Sequence, residues 1–313
     1  MKVSVIIPTL NRPHDLKAAM ESIARQTVLP YEVLVIDQSD GENTHQIAEE
    51  FSKRPEMRQV RVRYVRLLER SLVKARNRGL DLAEGDIVSF LDDDVVLLED
   101  YFEQIVRVMS HDRSLGGVSG NVIVGKKLHG VKWKLRRFLM RVFLLNDFCG
   151  RMTASGFGYP IYEREVDQPL LVEFLPGCDM NYRRDILDGE RFDEWFTGYS
   201  FREDVDFSYR VSRKAKCAMI PEAKLYHNYS TGNRLDIKKL KRMEVKNYYY
   251  LSRKYKSENP FSGFLFGYSM AGLLLIDLVE FLMSWKPVKL RKFSAGVSSY
   301  AGILLRGIAH DIV

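Results

Sequence analysis

The chain has 313 residues, more than one typical domain holds, so it accommodates one large domain or a domain with an appendage. Its 46% hydrophobic and 28% charged residues are globular values and exclude a wholly disordered or fibrous chain. Three cysteines, Cys149, Cys178 and Cys217, stand without CxxC spacing; this excludes a disulfide framework or a cysteine-based zinc module and fits a reducing compartment. Residues 231–313 hold 14 Lys and Arg against 6 Asp and Glu, a local +8, so the formal +7 of the whole chain leaves the first 230 residues at −1. A basic tail on a near-neutral body points to an anionic partner, nucleic acid or membrane headgroups.

The first hundred residues alternate strand and helix. Val3–Ile7 is a short apolar run that Pro8 and Asn11–Pro13 end too early for a secretory signal, so it reads as a buried strand. Pro13–Gln26 has helical spacing, Glu32–Asp37 is a strand, and Thr44–Lys53 is helical. Val60–Val65 is a strand, Arg70–Ala83 a helix that contains Gly79, Asp86–Leu91 a strand, and Glu99–Met109 a helix. Unbroken apolar strands between helices predict a mostly parallel sheet covered on both faces, with ligands beyond the carboxyl ends of the strands. Further on, the pattern predicts strands at Gly116–Val124 and Glu173–Asp179, the latter turning into Asn181–Arg184. It also predicts a helix over Glu203–Lys214 and a strand pair or edge at Ala218–Pro221 and Ala223–His227. Residues 261–276 and 293–305 carry no charge, and four basic residues fall within Lys286–Lys292.

Chemistry concentrates at the strand ends. Asp92, Asp93 and Asp94 follow an apolar strand, where three crowded carboxylates are relieved by a hard divalent cation; a solvated acidic turn is the plainer reading, and the place beyond a central strand favours a metal. Pro8–Thr9–Leu10–Asn11–Arg12 has no glycine and so is not a dinucleotide loop. Its polar groups suit either a nucleotide or a strand-to-helix connection capped by Asn11 or Asp15. Asp37 can accept from a base N–H or a ribose hydroxyl, and Arg76 and Asn77 can reach a phosphate or base or stand on a solvated helix face. Gly120–Lys127 fits a P-loop except for the final hydroxyl, and its strand-like Val122–Val124 excludes that motif. Glu203 and Asp204 serve a helix dipole or a general base, and His227 is structural or a ligand.

Together, VSVIIPTLNR (3–12), EVLVIDQSD (32–40), KARNRGL (74–80), DIVSFLDDD (86–94), LPGCDMNYRRDIL (175–187), EDVDFSYRV (203–211) and IPEAKLYHNYS (220–230) resemble the GT-A glycosyltransferases, specifically glycosyltransferase family 2, over residues 1–230. The resemblance implies an α/β GT-A domain over residues 1–230, with residues 231–313 a helical, apolar and basic extension. It implies that Pro8, Thr9, Asn11, Arg12, Asp37 and Arg76 hold the nucleotide. Asp94 would bind Mn²⁺ or Mg²⁺, with Asp92 or Asp93 facing the ribose or bridging to the metal, and His227 at the diphosphate or the metal. Asp204 would be the catalytic base, with Glu203 second, and Gly177, Cys178 and Asp179 would line the donor and acceptor cleft. The partners implied are a UDP-, GDP- or dTDP-sugar donor and a glycan or lipid-linked acceptor, without nucleic acid. The QxxRW motif of processive synthases is absent, Phe207–Val211 standing around Arg210, which favours transfer of a single sugar. The alternatives are a sugar-nucleotide pyrophosphorylase, which would need a glycine-rich first loop, and a basic nucleic-acid-binding protein.

Phe261–Trp285 is long enough to span a bilayer, but Asp277 and Glu280 lie inside it, and acids there are costly. It reads as a membrane-associated hairpin, monotopic or re-entrant, or as a soluble hairpin. With Lys286–Lys292 and the seven basic residues of Lys126–Arg141, it predicts a cytoplasmic protein held to the cytoplasmic face of the membrane through residues 261–309.

Overall fold

The computed structural model describes residues 1–123, 130–162, 164–228, 236–255 and 261–306. The chain divides into two compact units, residues 1–127 with 160–233, and residues 128–159 with 234–313.

In the first unit, β1 (Val3–Thr9), α1 (Pro13–Ala24), β2 (Glu32–Asp37), α2 (Asn43–Ser52), β3 (Arg61–Arg66), α3 (Leu72–Leu82), β4 (Ile87–Leu91), β5 (Val95–Leu97), α4 (Tyr101–His111) and β6 (Leu115–Ile123) follow one another. After α5 (Val131–Val142), which belongs to the second unit, come β7 (Leu170–Val172), β8 (Asp179–Arg183), α6 (Glu203–Ser212) and β9 (Lys216–His227). The strands form one sheet in the order β3-β2-β1-β4-β8-β6-β9-β5, with β7 on β9. The first four neighbours are parallel; beyond β4 the sheet is mixed, with β8 antiparallel to both β4 and β6.

β1, β2 and β4 are buried at every residue, as strands covered on both faces must be. β3 closes the sheet as an edge whose Arg61, Arg63 and Arg66 keep it soluble. Gly79 does not break α3: a Cβ there would overlap Ile6 of β1, so the glycine sets a close helix-to-strand approach. Phe90 of β4, Phe192 and Phe207 of α6 pack together, with the last two rings stacked 3.9 Å apart, and this fixes α6 against the sheet.

Two expectations change, and one strand was not foreseen. The strand in the 173–184 region is Asp179–Arg183; residues 173–178 are a connection. The two short runs near the end are one twelve-residue strand, β9, whose register against β6 shifts between Ser119 and Asn121. The three-residue β5, too short to show a period, pairs antiparallel with the end of β9. Gly120–Ile123 lies in β6, while residues 124–127 of the P-loop-like run, and Val124 of the expected strand, lie outside the described residues.

The second unit contains α5, α7 (Ile237–Lys254), α8 (Ser262–Ser284) and α9 (Pro287–Arg306). The two acids in the apolar run of α8 turn inward. Asp277 lies 2.6 Å from Lys241 of α7 and 2.7 Å from Lys292 of α9, and Glu280 pairs with Arg136 of α5 and Lys289 of α9. Hydroxyls of Tyr268 and Ser269 donate to the carbonyls of Val142 and Phe143, satisfying groups left open at the end of α5. These contacts draw residues 128–159 to the C-terminal helices, so the division does not fall at residue 230 alone.

Candidate active site

The site forms where the strand ends of the first unit meet α3 and α6. The register of β1 against β4 pairs Val3 with Ile87 and Ile6 with Phe90; continued, it sets Thr9 level with Asp93. The Thr9 hydroxyl donates to Asp93 at 2.8 Å, and the Arg12 guanidinium reaches Asp93 at 3.2 Å and Asp94 at 3.7 Å. Asp93 therefore turns back to β1. The β5–β9 register pairs Val95 with His227, which carries His227 Nε2 to 3.1 Å from Asp94 Oδ1. One ligand atom each from Asp92, Asp94 and His227 lie within 4.8 Å of one another.

Arg76, 1% exposed, joins this cluster to α6. It donates to Asp92 at 3.1 Å, to Glu203 at 2.7 Å and to the carbonyl of Gly177 at 2.8 Å. Glu203 is thereby committed to a guanidinium. Asp204 is not: its Oδ2 accepts from the amide of Gly177 at 3.1 Å and from the Tyr162 hydroxyl at 3.4 Å, and its Oδ1 from the amide of Val205. A Cβ on Gly177 would lie 3.1 Å from Asp204 Oδ2, so the glycine gives the carboxylate its room. The loop that launches α6 is left-handed at Gly198, Ser200 and Arg202, with φ of 61°, 55° and 78°. Two of these are not glycine, a strained arrangement immediately before the two acids.

Five carboxylates, Asp92, Asp93, Asp94, Glu203 and Asp204, thus gather around two guanidinium groups. Burial pushes Asp93 up to about 7 against the pull of Arg12, and burial with the neighbouring Asp204 pushes Glu203 up to about 8. Acids this crowded call for a further cation, and two carboxylates with one imidazole are donors that fit Mn²⁺ or Mg²⁺.

The expected residues separate into three groups. Thr9, Arg12, Arg76, Asp92, Asp93, Asp94, Gly177, Glu203, Asp204 and His227 form one connected set. Pro8, Asn11 and Asp37 shape the neighbouring strand ends. Pro8 lies past the last β1–β4 pair, where no amide is needed. Asn11, left-handed at φ 55°, exchanges hydrogen bonds with Asp40 and donates its amide to Ser39, clamping two loops. Asp37 is enclosed by the Tyr64 hydroxyl, the Ser39 amide and Arg66. Cys178 and Asp179 do not line a cleft. Cys178 packs in the hydrophobic core, and Asp179 is buried, accepting from Tyr101, Asn181 and the amide of Gly120. Arg76, expected at the nucleotide, is an internal strut. Tyr162 carries no motif, and only the fold brings its hydroxyl beside Asp204.

This arrangement, an acidic cluster beyond the fourth strand facing a helix that opens with two acids, stands on a GT-A-like fold. The model of the family described as "Glycosyl transferase family 2" matches residues 4–188, more than half of the chain, and the chain belongs to that family. It is 30% identical over 203 residues to the GalNAc(5)-diNAcBac-PP-undecaprenol beta-1,3-glucosyltransferase of Campylobacter jejuni, covering 63% of this chain and 56% of that protein. It is 26% identical over 175 residues to the UDP-Glc:alpha-D-GlcNAc-diphosphoundecaprenol beta-1,3-glucosyltransferase WfgD of Escherichia coli, covering 52% of this chain and 66% of that protein. The chain therefore spans less than two thirds of the length of these relatives. Among solved structures, the mannosyltransferase PcManGT of Pyrobaculum calidifontis, in complex with GDP-Man and Mn²⁺, shares the fold with a TM-score of 0.59 at 15% identity, over 97% of this chain and 87% of that one. S. aureus TarS does so with a TM-score of 0.52 at 16% identity, over 96% and 55%.

Proposed function

We propose that the protein is a metal-dependent, inverting glycosyltransferase that moves one sugar from a nucleoside-diphosphate sugar to a hydroxyl of a lipid-linked glycan acceptor. The observation that carries this reading is a division of labour among the acids: Asp92 and Asp94 converge with His227, while Glu203 is tied to Arg76 and Asp204 keeps weaker partners. Family membership supports sugar transfer. The names of the two curated relatives support an acceptor linked to a polyprenyl diphosphate.

Asp92, Asp94 and His227 would hold Mn²⁺ or Mg²⁺, which would supply Lewis-acid charge to the departing diphosphate. Arg12, partly exposed beside Asp93 and Asp94, adds a fixed positive charge for the donor phosphates. Asp204 takes the proton of the acceptor hydroxyl as its oxygen bonds to the anomeric carbon, and the bond to the diphosphate breaks on the opposite face. One displacement inverts the centre. Gly177 and Tyr162 hold the Asp204 carboxylate in place for that transfer. The donor is a UDP-, GDP- or dTDP-sugar, the work is done at the cytoplasmic face of the membrane, and the product serves a cell-surface glycan.

Calorimetry with UDP, GDP and dTDP tests the site. One nucleotide binds with Mn²⁺ and loses about tenfold or more in affinity on chelation or in Asp94→Ala. Unchanged affinity in Asp94→Ala rejects the assignment.

A further inference from the structure

The helical unit exposes apolar side chains in a pattern that its own packing does not use. In α5, Val131, Leu135, Phe138 and Val142 are 82%, 39%, 62% and 42% exposed. At about 100° per residue they fall within an arc of roughly 60° on one side of the helix. The opposite side holds Arg136 and Met140, with Phe143 just past the helix end; Arg136 pairs with Glu280, Met140 is buried, and Phe143 packs on Gly272 and Tyr268 of α8. The outward direction of the apolar stripe is therefore fixed by packing. Lys132 flanks it on one side and Lys134, Arg137 and Arg141 on the other, with no acid in the helix. Arg137 and Arg141 are braced over the ring of Phe148, at 4.4 and 5.5 Å.

α8 repeats the arrangement without charge. Phe264, Tyr268, Leu275 and Leu282 are exposed along one line, while Phe266, Met270, Leu273 and Asp277 are buried along the opposite one. The two stripes meet where the Tyr268 hydroxyl donates to the carbonyl of Val142. The buried line of α8 is covered by α7, a helix rich in Lys and Arg, whose Lys241 is sealed against Asp277. A helix so covered cannot enter hydrocarbon together with its partner.

We infer that the joined apolar face of α5 and α8 docks on an anionic phospholipid bilayer, entering one leaflet with α5 along the surface and α8 not crossing. An apolar stripe between cations is the form that suits acyl chains below anionic headgroups. A second copy of the chain fits poorly, since it would bring two cationic rims together. The inference stands on the helical unit alone and does not depend on the transferase reading.

Flotation of the full chain tests it, with vesicles of phosphatidylcholine mixed with phosphatidylglycerol and vesicles of phosphatidylcholine alone. The protein floats with the mixed vesicles, and salt or alkaline carbonate releases it. The double variant Leu135→Ser/Phe138→Ser, at exposed positions, keeps its melting temperature and its nucleotide affinity but loses about tenfold or more of the bound fraction. Wild-type flotation by that variant overturns the inference. So does equal flotation on neutral vesicles, resistance to carbonate, or a dimer in sedimentation that the variant dissociates. A wild type that floats but binds no nucleotide defeats the transferase reading and leaves this one standing.

Discussion

At the residue scale the two adjacent acids of α6 differ by their partners. Glu203 meets a buried guanidinium that also holds Asp92 and the Gly177 carbonyl, so Glu203→Gln leaves Arg76 with less compensation and lowers the melting temperature. Asp204→Asn keeps the fold and nucleotide affinity and lowers turnover by about 10²–10⁴. Thermal melts and kcat on the two purified variants check both, and the reverse pattern reassigns the base. The acids themselves were legible in the sequence, because DDD after an apolar strand and ED before a helical run are local signals. Their division of labour was not, because it depends on where Arg76 of α3 points. Gly177, Cys178 and Asp179 show the same limit: a turn closed by the Asp179 amide on the Pro176 carbonyl sets Gly177 against Asp204 while Cys178 enters the core.

At the element scale, long apolar strands and amphipathic helices could be read within a residue or two, as Glu32–Asp37 shows, since burial on both faces leaves a continuous apolar run. The three-residue β5 could not, yet its pairing with β9 is what brings His227 to Asp94. In the helical unit, the acids of α8 make sense only with their partners. Burial opposes the charge of Lys241, but Glu244 and Asp277 hold its ammonium above the ordinary lysine range. Lys241→Met leaves the buried Asp277 with Lys292 as its cation and destabilises the helical unit. Lys241→Met/Asp277→Leu recovers part of that loss, read by thermal melting; no recovery removes the pair from the account.

Across the whole molecule, the parallel first half of the sheet followed from alternating elements, whereas the grouping of residues 128–159 with the C-terminal helices depends on pairs such as Arg136–Glu280, 144 positions apart in the chain. Stability should also depend on pH in a definite direction. Burial raises Asp179 from 3.8 to about 6, so the folded chain holds this proton more tightly than the unfolded one. Its contribution is complete below about pH 4 and is lost as pH rises through 6, corresponding to about 3 kcal/mol. Asp179→Asn therefore gains on wild type in melting temperature between pH 4 and 7, and parallel curves would contradict this.

The left-handed turn before α6 has a consequence for how the enzyme can change. Arg202 holds a conformation that glycine adopts without penalty, at a cost on the order of 1 kcal/mol. Arg202→Gly relieves that strain but removes a buried side chain that stacks 4.2 Å over Phe201, and it should turn over more slowly as the two acids lose a fixed approach, read by kcat beside wild type. Backbone strain and side-chain packing therefore compete at this one position, and no single substitution improves both.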